Sequence, residues 1–231
     1  MNDRLERYLY YAEKYPSLFT YNSPADDSIL IILEKSALEQ MQQSLYENAK
    51  EMNQPLNYMD LGILCEDEWY VVIRDLVKFP SGKMAPYIRM ISKKAELENT
   101  PSCYILPYDN KKVFLQEEFR HPLRKWIWTT PRGFGEKGLS DIENAAKELR
   151  EETGYVAETL TRIENKHRTD VALFLAKVDS QKNATRNDPD EAIKGNVWLT
   201  IPEFADWIND GRIDDSYSLK FYVHLATKGF P

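Results

Sequence analysis

At 231 residues, 42% hydrophobic and 29% charged, the chain has the balance of a globular protein with one substantial core plus a small extra unit; disordered and fibrous classes are excluded. Lys and Arg number 30 against 37 Asp and Glu, a formal charge of −7, and no basic run is long enough to track a phosphate backbone. Long nucleic acids are therefore excluded as partners, whereas a phosphorylated small molecule is not, because divalent cations can stand between it and acidic side chains.

Residues 3–15 carry Leu5, Tyr8, Leu9, Tyr11 and Ala12 at helical spacing before Pro16, which predicts a short amphipathic helix. Nothing in the first 16 residues has the unbroken apolar run of a signal peptide, and no stretch approaches the roughly 18 apolar residues of a membrane span. The expected location is the cytoplasm, with no membrane partner. A second helix is predicted over 35–52, with Leu38, Met41, Leu45 and Ala49 on one stripe and Asn53 and Pro55 ending it. These helices form an appendage over 1–56, leaving 57–231 as the main domain.

From Tyr58 the strand formers Ile63, Leu64, Trp69, Val71, Val72, Ile73, Leu76 and Val77 precede a Pro80-Ser81-Gly82 turn and the apolar run Tyr87–Ile91, a predicted hairpin that begins the core sheet. A second hairpin is expected from residues 103–107 and 112–116 across a turn at 108–111. Cys65 and Cys103 lie in these apolar stretches and read as buried free thiols.

Trp126-Ile127-Trp128 reads as a strand, followed by the glycine-dense loop 131–138. Ser140 to Thr153 is a helix with both ends specified: Ser140 and Glu143 make a capping box, and Gly154 suits a left-handed C-cap. Ile142, Ala145, Ala146, Leu149 and Thr153 form the stripe expected to face the sheet. Strands follow at 171–176 and 195–199 around a polar stretch, 179–192, and helices at 202–211 and 216–226 complete the chain.

Glu148, Glu151 and Glu152 fall at i, i+3 and i+4 on one side of the capped helix. Like charges at this spacing repel by roughly 0.2–0.5 kcal/mol per pair, and a hard divalent ion, which takes carboxylate oxygens, water and phosphate, would reverse the sign. An isolated Glu-x-x-Glu-Glu is usually a solvated helix face. Here the glycine loop running into the helix points instead to a ligand site.

In its loop and helix the chain resembles the Nudix family, whose signature is Gly, five residues, Glu, seven residues, Arg-Glu, an aliphatic residue, any residue, Glu-Glu, any residue, Gly and an apolar residue. The match runs from Gly133 through Lys147-Glu148-Leu149-Arg150-Glu151-Glu152-Thr153-Gly154-Tyr155. Leu139 replaces the first signature glutamate and Lys147 the signature arginine. In the family these two positions are described as bracing the loop against each other, so their joint loss implies a changed brace.

Residues 115–123, Leu-Gln-Glu-Glu-Phe-Arg-His-Pro-Leu, and the ending Asp210-Gly211-Arg212-Ile213-Asp214-Asp215 are similar to the ADP-ribose pyrophosphatase branch. The resemblance implies an α/β/α sandwich with a mixed sheet and an Mg²⁺- or Mn²⁺-dependent hydrolase that cleaves the diphosphate of a nucleotide derivative such as ADP-ribose or a nucleotide sugar. A nucleotide-binding or sensing module with little turnover is the alternative.

The resemblance implies Glu148 and Glu152 as metal ligands, joined by Glu151 and the Arg132 carbonyl, with Glu151 also counted among the catalytic residues. Glu191, then Asp190, would orient the attacking water. Arg120, Arg132, Gly133 and Phe119 would contact substrate, although Arg120 and Arg132 equally suit ion pairs. Phe119, Tyr104, Trp126 and Trp128 could each stack on a base, although core packing is the favoured role for aromatic residues in strands. Homodimerisation is usual in that branch.

Overall fold

The computed structural model describes residues 3–26, 28–163, 170–182 and 191–231, which form two compact units, Met1–Leu97 and Glu98–Pro231. The first contains α1 (Asp3–Lys14), β1 (Leu30–Ile31), α2 (Lys35–Glu51), β2 (Gly62–Glu66), β3 (Tyr70–Lys78) and β4 (Met84–Ser92). Central β3 pairs antiparallel with β4 along its length, with β2 at Val71–Arg74 and with β1 at Val77–Lys78.

Leu5, Tyr8 and Tyr11 bury the predicted face of α1, and Leu38 and Ala49 that of α2. Beneath α1, the buried Asp75 carboxylate accepts hydrogen bonds from Tyr8 (2.7 Å) and from Arg89 Nε (2.6 Å), and the same guanidinium donates to the Leu18 carbonyl. Gly62, at φ 89°, lies against the Arg4 backbone, where a Cβ would come within 2.6 Å of a carbonyl oxygen.

The predicted first hairpin exists but does not open the core sheet. Its strands pair with one another and with β1, and their apolar faces share a core with α1 and α2, so the compact units part at Leu97 and not after residue 56. Cys65 also departs from expectation: the end of β2 is solvent-facing and leaves this thiol exposed, while Cys103 is buried, and both are free.

The second unit contains β5 (Ser102–Asp109), β6 (Lys112–Arg120), β7 (Lys125–Thr129), β8 (Arg132–Gly133), α3 (Asp141–Thr153), β9 (Thr159–Ile163), β10 (Val171–Lys177), β11 (Ile193–Thr200), α4 (Ile201–Asn209) and α5 (Ser216–Lys228). The sheet is mixed, in the order β11-β6-β5-β10-β9; β5 and β10 are parallel, β7 adds to β6, and β8 adds to β5. Asn110 and Lys111, both left-handed at φ 45° and 63°, make the tight β5–β6 turn, the backbone that a two-residue hairpin loop demands.

Alternation along the strands builds a core on each side of the sheet. Cys103, Ile105, Ala172 and Phe174 pack with Ala145 and Leu149 of α3. Leu106, Leu115 and Leu173 pack with Phe204 of α4 and Phe221 of α5. The result is the expected α/β/α arrangement, with an unexpected edge strand, β9, whose mostly exposed Thr159–Ile163 offers little apolar signal.

Both bonds of the α3 capping box are present, and Gly154, at φ 76°, closes the helix. The inward stripe is rotated from expectation. Ala145, Leu149 and Thr153 are buried, but Ile142 and Ala146 are exposed, and Asn144 and Glu152 turn inward instead. Asn144 accounts for part of the rotation, since its Nδ2 donates to the Phe134 carbonyl (3.0 Å) of the glycine loop.

Candidate active site

β8 delivers the glycine loop to the N-terminus of α3, and α3 turns two acidic side chains back onto that strand. A Cβ at Gly133 would lie 2.0 Å from the Glu148 carboxyl carbon, so glycine is what lets this carboxylate rest on the strand backbone. One turn later Glu152, only 5% exposed, accepts hydrogen bonds from Gln116 Nε2 (2.6 Å) and from the Arg132 backbone N–H (3.3 Å). A cavity of about 190 Å³ lies beside Glu152 and is lined in part by Gln116, Lys194 and Asn196.

These carboxylates are electrostatically uncomfortable. Burial pushes Glu152 up to about 8; the Gln116 bond opposes this, and the negative charges of Glu191 and Glu118 add to it. Burial likewise pushes Glu148 up to about 7, opposed by the nearby Lys147 ammonium and reinforced by Glu151, Glu136 and Glu191. Glu191, just ahead of β11, thus acts on both helix carboxylates, where the resemblance expects the loop acid. Asp190 lies outside the described residues.

Glu151 points elsewhere. Its side chain is 38% exposed and takes the Lys147 ammonium at 2.8 Å. Among the described residues, no three carboxylate, imidazole or thiol groups are gathered as a ready ligand set. Repulsion among like charges gives a simple physical reason: Glu151 turns from its two neighbours to the Lys147 ammonium one turn back.

Arg132 divides its roles. Its backbone faces Glu152, whereas one guanidinium nitrogen, Nη2, donates to both Glu118 oxygens at 2.7 Å each and the guanidinium lies over the Tyr104 ring. Arg120 donates to the same carboxylate at 3.1 Å and is the more open of the two arginines, 34% against 11%. The Arg132 side chain is therefore held in an ion pair. Phe119 is half-buried, edge-on to Trp126 and beneath Arg124, while Tyr104 and Trp128 pack against the main core.

Sequence reasoning missed Gln116 and Glu118. Their signal was a pair of polar residues two apart in the strand, with the first fully inside a run of buried positions, a spacing that puts both on one face of β6. A divalent cation fits this setting. The donors are hard oxygens, burial disfavours the ionised form of both carboxylates, and among the described residues the buried Gln116 Oε1 has no hydrogen-bond partner.

A mixed sheet between helices, with a glycine turn feeding a helix that carries inward carboxylates, is the architecture of a Nudix protein. Residues 98–219, more than half of the chain, match the NUDIX domain, and the chain belongs to that family. A Bacillus methanolicus protein described as methanol dehydrogenase activator is 31% identical over 62% of this chain and 77% of its own length. The ADP-ribose pyrophosphatase of Bacillus subtilis (strain 168) is 35% identical over 38% of this chain and 44% of its own length. In three dimensions the chain resembles an ADP compounds hydrolase crystal structure, with a TM-score of 0.55 and 20% identity over 74% of this chain and 92% of that one.

Proposed function

We propose that this chain hydrolyses the diphosphate bond of a nucleoside diphosphate derivative, with ADP-ribose the first candidate, in a reaction that depends on Mg²⁺ or Mn²⁺. As a NUDIX member it is a pyrophosphohydrolase. The observation that carries the reading is the pair of inward carboxylates, Glu148 and Glu152, turned onto the Gly133 strand and pushed by burial up to about 7 and about 8. The identity to an ADP-ribose pyrophosphatase supports the substrate class.

Glu148, Glu152 and the Arg132 carbonyl would hold the cation, with Glu151 joining when it leaves Lys147. Bound there, the ion would supply neutralisation of the diphosphate charge and acidification of the attacking water. Glu191 is the first candidate to orient that water, because its charge reaches both ligands. Gly133 would contribute through its bare backbone, on which Glu148 rests, whereas Phe119, one residue out of step with Glu118, falls on the opposite face of β6 and is the weakest of the substrate-contact candidates. Of the two arginines, Arg120 is the better placed to take a substrate phosphate, since it holds Glu118 through a single bond.

The test is a panel of nucleoside diphosphate sugars, dinucleotides and nucleoside triphosphates assayed with Mg²⁺ and with Mn²⁺ beside Glu152→Gln. Hydrolysis that ignores the metal, or equal rates in the variant, contradicts the assignment. Binding across the panel without turnover would favour the sensing alternative. A second reading, action upon a dehydrogenase, rests on the name of the 31% identical relative and is tested by adding the chain to such an enzyme.

The proposal extends to a cytoplasmic homodimer. Two free thiols support the compartment, and among the described residues no helix is long and apolar enough to cross a membrane. Sedimentation measures the oligomeric state.

A further inference from the structure

Two departures from the Nudix signature, Leu139 and Lys147, leave the loop without its usual acid–base pair. The structure shows where Lys147 goes. Its ammonium lies 2.7 Å from Glu136 of the glycine loop and 2.8 Å from Glu151 of α3, so a single cation joins loop and helix.

Backbone geometry explains why residue 136, and not 139, makes this contact. The Leu139 N–H donates to the Glu136 carbonyl at 3.2 Å, closing a four-residue turn with Gly138 left-handed at φ 94° in its third position. The turn leaves Leu139 exposed and Glu136 opposite Lys147.

We propose that Glu136 is a positioning residue that braces the glycine loop on α3 through Lys147 and so stands in for the acid missing at position 139. The brace has a second effect. By sharing the Lys147 ammonium, Glu136 weakens its hold on Glu151 and lowers its competition with a cation for the helix carboxylates. The functional half of this inference rests on the metal-site reading above; the tether itself does not. Asn144 holds the loop independently at the Phe134 carbonyl, so removing Glu136 loosens the loop without releasing it.

The experiment compares wild type, Glu136→Gln, Leu139→Glu and the triple variant E136Q/L139E/K147R, which restores the signature pair. Three readouts are taken on the full chain: Mn²⁺ affinity by EPR without substrate, hydrogen exchange at residues 134–139, and kcat and KM for ADP-ribose. As an exposed pair is being cut, Glu136→Gln should melt within about 2 °C of wild type. It should nevertheless bind Mn²⁺ roughly 5–10-fold more weakly, near the lower end of what partners of metal ligands confer, with kcat falling in step and KM nearly constant. Exchange at 134–139 should accelerate.

The triple variant should return Mn²⁺ affinity and exchange to within about twofold of wild type, and Leu139→Glu alone should change neither by more than that. Unchanged affinity and exchange in Glu136→Gln, failure of the triple variant to recover, or a roughly tenfold gain from Leu139→Glu alone would overturn the proposal. A wild-type chain that takes no Mn²⁺ overturns the metal-site reading and with it the functional half, while loop exchange still decides the tether. A chain that takes Mn²⁺ but hydrolyses nothing overturns the proposed reaction alone.

Discussion

Each unit of this protein buries acid, and the two do so in opposite ways. In the first, Asp75 is met by Arg89 and Tyr8, so its charge and its lone pairs are answered within the fold. In the second, Glu148 and Glu152 share one side of α3 with Glu118 and Glu191 nearby, and the Gln116 amide and one backbone N–H are neutral partners for a group that needs a cation. A buried charge with its partner is part of the scaffold, whereas buried carboxylates met mainly by neutral groups and like charges are the place to look for a ligand.

The sharpest way to break this contrast is to neutralise one member of each kind. Glu152→Gln should reduce diphosphate hydrolysis at least about 100-fold, beyond what loss of a supporting partner around a ligand usually costs. Asp75→Ala should destabilise the first unit by about 3–5 kcal/mol in urea, because it strands Arg89 in a partly buried position. A cost below about 1 kcal/mol would show that Asp75 is not a compensated buried charge.

An intermediate case is the Arg132–Glu118 pair, which is compensated but adjoins the site. Arg132→Ala leaves Arg120 on Glu118, so the expected loss is smaller, about 1–3 kcal/mol, and is read by the same denaturation. Activity in that variant should fall through the Glu152 contact that the Arg132 backbone makes, and an unchanged rate would show that the side chain does not position the loop.

The smallest effect is a dependence on pH. The folded values for Glu148 and Glu152, about 7 and about 8, are raised above the ordinary 4.5, so the fold favours their protonated forms. Their contribution to stability is full below about 4.5 and is lost as pH rises through 7 and 8. Thermal melting of the metal-free chain should therefore show a greater gain from Mg²⁺ above pH 8 than at pH 6, and Glu152→Gln should flatten the difference. An equal gain at both pH values would contradict the contrast.

Much of this was legible in the sequence because it is local. The capping box of Ser140 and Glu143, the Gly154 cap, the glycine loop and the i, i+4 spacing of Glu148 and Glu152 each lie within a few turns of chain, and each recurs in the structure. What was hidden depends on contacts across the chain. Whether the Tyr70–Ser92 hairpin joins the main sheet is decided by distant pairing partners, and the rotation of α3 is set by Asn144 reaching the loop. The capture of Arg132 by Glu118 and the use of Glu136 in place of position 139 follow from strand register and from a turn built on Gly138.

The central claim, that the helix carboxylates serve metal-dependent cleavage of a diphosphate, is tested most directly by ³¹P NMR of ADP-ribose incubated with the chain and Mg²⁺, beside EDTA and Glu152→Gln controls. The account predicts that the diphosphate resonances give way to two phosphomonoester signals, those of AMP and ribose 5-phosphate, in the wild type with metal alone. Cleavage that persists undiminished in EDTA or in Glu152→Gln would contradict it.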